Sequence, residues 1–179
     1  MVRLSAAASG CALLLGALAL AGCASDNNPP DGLPIYQSLA TKDAKLDVKT
    51  AASMISGYRK NNGLGPVSID PELMKLAEEQ ARAMATRNKL GHDVWRPFTE
   101  RISAFDASVA AENVAAGYDN LAEAFSGWRQ SPQHRANMLN PAVTKMGIAA
   151  AYAPGSRYKV FWSLILARPD DRHQSARAG

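Results

Sequence analysis

Cysteine is almost missing from this chain: of 179 residues, only Cys11 and Cys23 are Cys. Both lie near the N-terminus, so the remainder holds no disulfide and must fold on its core alone. Charge of one sign is missing too. The formal net charge is +4, the charges are interspersed, and no block of Lys or Arg occurs. That removes the electrostatic footprint of nucleic-acid binding and leaves a solvated surface. No internal repeat is present. Nor is any His-Glu-x-x-His, Cys-x-x-Cys or Gly-x-Ser-x-Gly run, so no compact motif announces a chemistry. Long apolar runs are lacking as well. The best one, Leu4 to Ala21, is too weak and short to hold as a spanning helix.

What is there begins with that run. It follows Arg3, carries no charge, and reads as the apolar region of a signal peptide. Leu20-Ala21-Gly22-Cys23 then reads as the processing site of a bacterial lipoprotein. Small residues suit the peptidase cleft, the Cys23 thiol takes a diacylglycerol, and the freed amine takes a further acyl chain. One chain binds a bilayer reversibly, whereas several anchor firmly. The alternative is ordinary secretion with Cys23 as a bystander. On the lipoprotein reading residues 1–22 leave, and the membrane is the first partner. Ala24 and Ser25 stand where an inner-membrane retention signal would place Asp, and the nearest is Asp26. By resemblance to Gram-negative sorting rules, the expected location is the cell envelope at the outer membrane. Removal leaves 157 residues and a charge of +3. A chain of that size buries roughly 68–70% of its unfolded surface, enough for one domain.

Residues 23–37 hold Asn27-Asn28-Pro29-Pro30-Asp31-Gly32-Leu33-Pro34, which reads as a semi-stiff tether. At about 3.1 Å per residue it reaches roughly 40 Å. The domain is expected over 38–169, and 170–179 is a polar tail. A first helix is predicted over 50–61, with Ala51, Met54, Ile55 and Tyr58 on one face and Gly63 closing it. A short extended piece follows over 67–69. The second helix starts at Asp70 as N-cap, with Pro71 in the first position and Glu72 at the positive end of the dipole. Leu73, Leu76, Ala77, Gln80, Ala81 and Met84 form its buried stripe, and Gly91 is expected to stop it. A third helix starts at Asn120 with Glu123 as capping-box partner. A short fourth opens at Ser131-Pro132.

The C-terminal part changes period. Met146, Ile148, Ala150 and Tyr152 alternate with small residues, and Ala153-Pro154-Gly155-Ser156 is a turn. Residues 158–167 are apolar on both faces, with Val160, Trp162, Leu164 and Leu166 on one and Phe161 and Ile165 on the other. A strand apolar on both faces is covered on both faces. The covering material is helical, so the predicted fold is α+β, a three-layer α-β-α sandwich around a small antiparallel sheet. No exposed apolar stripe marks an oligomer.

Three histidines occur. His173 lies in the polar tail, His92 follows Gly91, and His134 is the third residue of the Ser131-Pro132 helix. Glu112 sits among small and apolar residues and, if buried, needs a partner. Spacing alone allows a shared His92/Glu112/His134 site, or three separate local roles.

Several segments occur in an order that resembles the CAP superfamily: the cysteine-rich secretory, antigen 5 and pathogenesis-related 1 proteins, or SCP domain. They are Lys89-Leu90-Gly91-His92, Ala111-Glu112-Asn113-Val114-Ala115-Ala116-Gly117-Tyr118, Trp128, Ser131-Pro132-Gln133-His134-Arg135-Ala136-Asn137, Met146-Gly147-Ile148 and Phe161-Trp162. The likeness covers about residues 48–168 and is to the bacterial, disulfide-free branch. It implies an α-β-α sandwich with a cleft holding two His and two acids, sometimes with a divalent metal. His92, Glu112 and His134 match three of the four positions. Ser131 stands where many eukaryotic members carry the second acid. Glu100 is the nearest spare carboxylate, more readily placed on the surface of a short helix around 99–101.

Two imidazoles and a carboxylate are the ligand set of an open zinc site. Such a site polarises a carbonyl or generates hydroxide near neutral pH. His134 near a helix N-terminus is expected to stay neutral. Ser131 and His134 are also spaced as nucleophile and base, but Ser131 before Pro132 is the natural N-cap. Trp128, Phe161 and Trp162 read as core rather than a stacking platform. Three functions follow, weighted toward binding before catalysis. The first is an envelope-anchored module holding a lipid, glycan or peptide. The second is a metal-dependent hydrolase or protease using His92, Glu112 and His134. The third is a structural or interaction protein.

Overall fold

The structure, a computed structural model, describes residues 32–170. The leader, the lipobox with Cys23 and the tail beyond 170 therefore lie outside the described residues. Helices α1 (Val48–Asn61), α2 (Pro71–Arg87), α3 (Phe98–Ile102), α4 (Leu121–Gln130) and α5 (Pro132–Met138) surround four strands. The strands are β1 (Ser68–Ile69), β2 (Ala107–Ala116), β3 (Lys145–Tyr152) and β4 (Val160–Pro169), in sheet order β1-β3-β4-β2. Within residues 23–37, read as tether, Pro34–Tyr36 forms a 3-10 turn, and Ile35 packs on the core.

The layers follow from β4. Trp162, Leu164 and Leu166 face α1, α4 and α5, meeting Ile55, Trp128 and Met138. Ile165 and Ala167 face α2, meeting Leu73, Leu76 and Ala77. Both faces are thus dry, as the two-sided apolar pattern of residues 158–167 requires. Trp128 and Trp162 meet edge to face with ring centroids 6.4 Å apart, an arrangement that suits the ring quadrupoles. Gly147 carries the closest approach of the two layers: a Cβ there would overlap the backbone of Leu73 and Met74.

Local signals explain most boundaries. Asp70 accepts from the N–H groups of Glu72 and Leu73. Asn120 accepts from Glu123 N–H, while the Glu123 carboxylate takes the N–H of Asp119, one residue before the cap. Helix α1 starts two residues earlier than predicted, because Asp47 caps it through Thr50. Helix α2 does not run to Gly91. Asn88 adopts the left-handed conformation with φ 48° and turns its N–H back onto Ala85 and Met84, which Asn tolerates because its short polar side chain reaches the local backbone.

The sheet differs from expectation in two respects. β2 is a strand that the sequence pattern conceals, because Ala110, Ala111, Ala115 and Ala116 give it almost no alternation. β1 joins β3 in parallel, Ser68 opposite Lys145 and Ile69 opposite Met146, so an antiparallel core of three strands carries one short parallel addition. Buried Arg59 ties the helical layer to the start of β3. It donates to the carbonyls of Gly65, Met138 and Asn140 at 2.8 Å and Val143 at 3.1 Å. Burial lowers its pKa, and these acceptors replace the water it has lost.

Candidate functional site

Strand β2 forms one edge of the sheet, and Glu112 points from it toward the α2 side, opposite Ile165. The residue is 5% exposed, and a carboxylate so placed needs compensation. Arg101, on α3 and 1% exposed, supplies it. Its guanidinium reaches Oε1 at 3.1 Å from both terminal nitrogens and Oε2 at 3.0 Å from one, a forked geometry that suits Arg better than Lys. Ser163 donates to Oε1 at 3.3 Å, and His92 Nδ1 lies 3.0 Å from Oε2. Both oxygens of the carboxylate are therefore engaged more than once.

The loop bearing His92 is fastened from two sides. Gln80 of α2 donates to the carbonyls of Gly91 at 2.7 Å and His92 at 3.1 Å, and Arg101 donates to the His92 carbonyl at 2.9 Å. On the other face of β2, Asn113 donates to the His134 carbonyl at 3.0 Å and accepts from Asn137 at 2.8 Å, which docks α5 on the strand. The Ser131 hydroxyl accepts from the backbone N–H of His134 at 3.5 Å and so caps α5. Glu100 is exposed and pairs with Arg96 at 3.6 Å, outside the cluster.

Thus His92 and Glu112 meet directly, while His134 stands near His92 without a bond to either. The Glu112 hydrogen bond raises the His92 pKa, against a smaller lowering by burial. The His134 pKa is lowered, first by burial and then by repulsion from His92, so desolvation favours its neutral form. A His with a raised folded pKa stabilises below the ordinary value of 6.5, and that contribution fades as pH climbs through the folded value. A lowered one adds stability that is complete above 6.5 and fades as pH falls through the folded value. The two windows adjoin, so the histidine part of the stability profile peaks near pH 6.5. We expect His92→Ala to flatten the alkaline limb of urea midpoint against pH, and His134→Ala the acid limb. Identical profiles for both variants and wild type would refute this.

As arranged, these residues do not fit a divalent metal. Among the described residues no group of three His, Cys, Asp or Glu could hold one. The donor chemistry explains why: a cation on Glu112 would displace Arg101 and then sit beside a buried guanidinium.

Sequence reasoning missed Arg101: it placed Glu100 on the surface of a short helix around 99–101 and gave Arg101 no role. The signal was available: Phe98, Arg101 and Ile102 are spaced i, i+3, i+4 and share one buried-side face. A cavity of about 1400 Å³ was missed altogether. It lies at the opposite edge of the sheet, between residues 39–48, the N-terminal half of α2 and the outer edge of β3.

Comparison with known proteins gives concordant results. A model of the cysteine-rich secretory protein family matches residues 52–166. An uncharacterised protein of Bacillus subtilis, YkwD, is 30% identical over 141 residues, 70% of this chain and 52% of its own length. An uncharacterised protein of Borreliella burgdorferi is 30% identical over 108 residues, 59% of this chain and 69% of its own. The chain therefore spans about half the length of the Bacillus relative. Among solved structures, an outer surface protein from Borrelia burgdorferi superimposes with TM-score 0.64 at 23% identity, covering 72% of this chain and 97% of that one. An extracellular SCP-domain protein from Bacillus anthracis gives TM-score 0.59 at 22% identity, covering 67% of this chain and 39% of that one. At those identities the structures speak for the α-β-α fold alone.

Proposed function

The chain belongs to the cysteine-rich secretory protein (CAP) family, and from that premise we propose that it is an extracytoplasmic binding module, held to the cell envelope through lipidated Cys23. The observation that carries the reading is the groove beside β3. Its floor is apolar, with Leu46, Met74 and Ile148 among the residues that line it, and its volume exceeds that of ordinary small-ligand pockets. The names of two structural relatives, an outer surface protein and an extracellular protein, favour a location outside the cytoplasm. Among the described residues no helix is long and apolar enough to cross a membrane; the proposed attachment rests on the Leu20-Ala21-Gly22-Cys23 sequence.

The same reading gives Arg101, Glu112 and His92 a structural duty. With its carboxylate saturated, Glu112 is poorly placed to act as a base, and His134 lacks a partner to activate, so metal-dependent hydrolysis receives no support from the geometry. Lipid, glycan and peptide fractions of an envelope extract, titrated into isotope-labelled full chain, test the reading. One fraction is expected to shift the amides of residues 148–152 and to spare those of His92 and His134. If no fraction moves the groove amides, the binding reading fails. Cys23→Ser is expected to move the protein from the membrane pellet to the soluble fraction, and an unchanged pellet would remove the anchor.

A further inference from the structure

The outer edge of β3 is half covered. Its phase is fixed by three contacts. Ser68 N–H donates to Thr144, Asp70 N–H donates to Met146, and Ala153 N–H donates to Lys159 across the hairpin. In the β3–β4 register, Tyr152 stands opposite Val160, so Ala153 and every second residue before it bond β4. Met146, Ile148, Ala150 and Tyr152 therefore turn their N–H and C=O groups away from β4. β1 satisfies only the first of them. Pro71 starts α2 directly after Asp70, and the chain leaves the edge. Beyond that point Ile148 N–H finds the thioether of Met74 at 3.3 Å, a weak acceptor. Among the described residues, Ala150 and Tyr152 are bonded to neither a strand nor a side chain on that edge.

An unpaired ladder of this kind is a template for another strand, and here it opens into the groove. The rim has a sign. Lys42, Lys45 and Lys75 line it without carboxylate partners among the described residues, whereas Arg82 is already paired with Glu78 at 2.6 Å. We propose that the groove binds an extended, acidic peptide segment of another molecule, which adds to the sheet as a fifth strand along Ile148–Tyr152. Main-chain bonds to Ile148, Ala150 and Tyr152 hold it, with Met74 swinging aside to release the Ile148 N–H. Alternate side chains enter the space between Met74 and Leu46, and carboxylates meet the three lysines. The chain's own flanking segments suit the edge poorly. Residues 171–179 carry two Arg against one Asp, and residues 24–31 contain Pro29-Pro30, which lack the donors a strand needs.

This inference rests on the binding-module reading and names the ligand class of that groove. The test uses purified full chain and three probes: a capped hexapeptide of alternating Val and Glu, the same peptide N-methylated at alternate residues, and dodecanoate. The expected result is saturable binding of the first peptide alone, with slowed hydrogen exchange at Ala150 and Tyr152. Ala150→Pro removes one outward donor while leaving every β3–β4 bond in place, and should weaken binding about tenfold, the equivalent of one hydrogen bond. Lys45→Glu/Lys75→Glu keeps the backbone intact and should weaken it at least as much. Equal binding of the methylated peptide overturns the strand geometry. Binding of dodecanoate without the peptide overturns the inference and leaves the module standing as an acyl-chain binder. Binding of none of the probes overturns the inference, and the envelope fractions then decide the module separately.

Discussion

Replacing Arg101 with Met is expected to destabilise the domain by about 3–5 kcal/mol, the cost of leaving one charge of a buried pair uncompensated. Arg101 and Glu112 are 1% and 5% exposed and share three contacts near 3 Å. Without the guanidinium, Glu112 keeps only Ser163 and His92, and the His92 carbonyl loses a donor as well. Glu112→Gln tests the reverse: it retains the shape and strands the cation. The informative variant is the double one. Arg101→Met/Glu112→Leu removes both charges, and buried pairs replaced by apolar residues of similar volume are often neutral or better. We expect it to recover most of the loss, read as urea midpoints at pH 6.5 with unchanged slopes. A single Arg101→Met costing under about 1 kcal/mol would mean that water reaches Glu112 and that the pair does not hold α3 to β2.

The second large effect is expected at Gly147. A methyl group added there enters the peptide between Leu73 and Met74. The obstacle is the backbone of a 17-residue helix rather than the end of a flexible side chain, so relief requires α2 to lift from β3. Overpacking in cores costs typically about 1–3 kcal/mol. Here neither wall yields, and Gly147→Ala should cost about 3 kcal/mol or more, with Gly147→Val failing to fold. Thermal unfolding of Gly147→Ala beside Gly127→Ala separates a backbone obstacle from a side-chain one, since Gly127 faces the Tyr118 ring. Equal small losses at both positions would refute the tight contact.

The parts of the fold legible in the sequence are those written in local chemistry. The cap and proline at Asp70-Pro71, the stripe of α2, and the two apolar faces of β4 each depend on residues within one element. β2 is hidden because its alanines serve helix and strand alike, and its strand character comes from pairing with β4. The meeting of His92 with Glu112 is reached through family likeness as much as through residues. Arg101 is marked only by its i, i+3, i+4 spacing with Phe98 and Ile102, a stripe one turn long that a five-residue helix does not extend. The groove is invisible to any local pattern. It exists because β1 ends after two residues, and that shortness is itself fixed by Pro71.

The position of β4 governs timing. Among the described residues it is the last strand in the chain and an inner strand of the sheet, with β3 on one side and β2 on the other. Both faces of the core close on it. A chain that emerges N-terminus first, from a ribosome or across a membrane, therefore has no sheet to complete until residue 160 and beyond are free. Up to that moment α2 can pack on β3 but not on β4, and loop closure must join segments of high sequence separation, which slows folding. No disulfide within the domain can trap a partial structure on the way. The three-layer core therefore closes only once β4 is available.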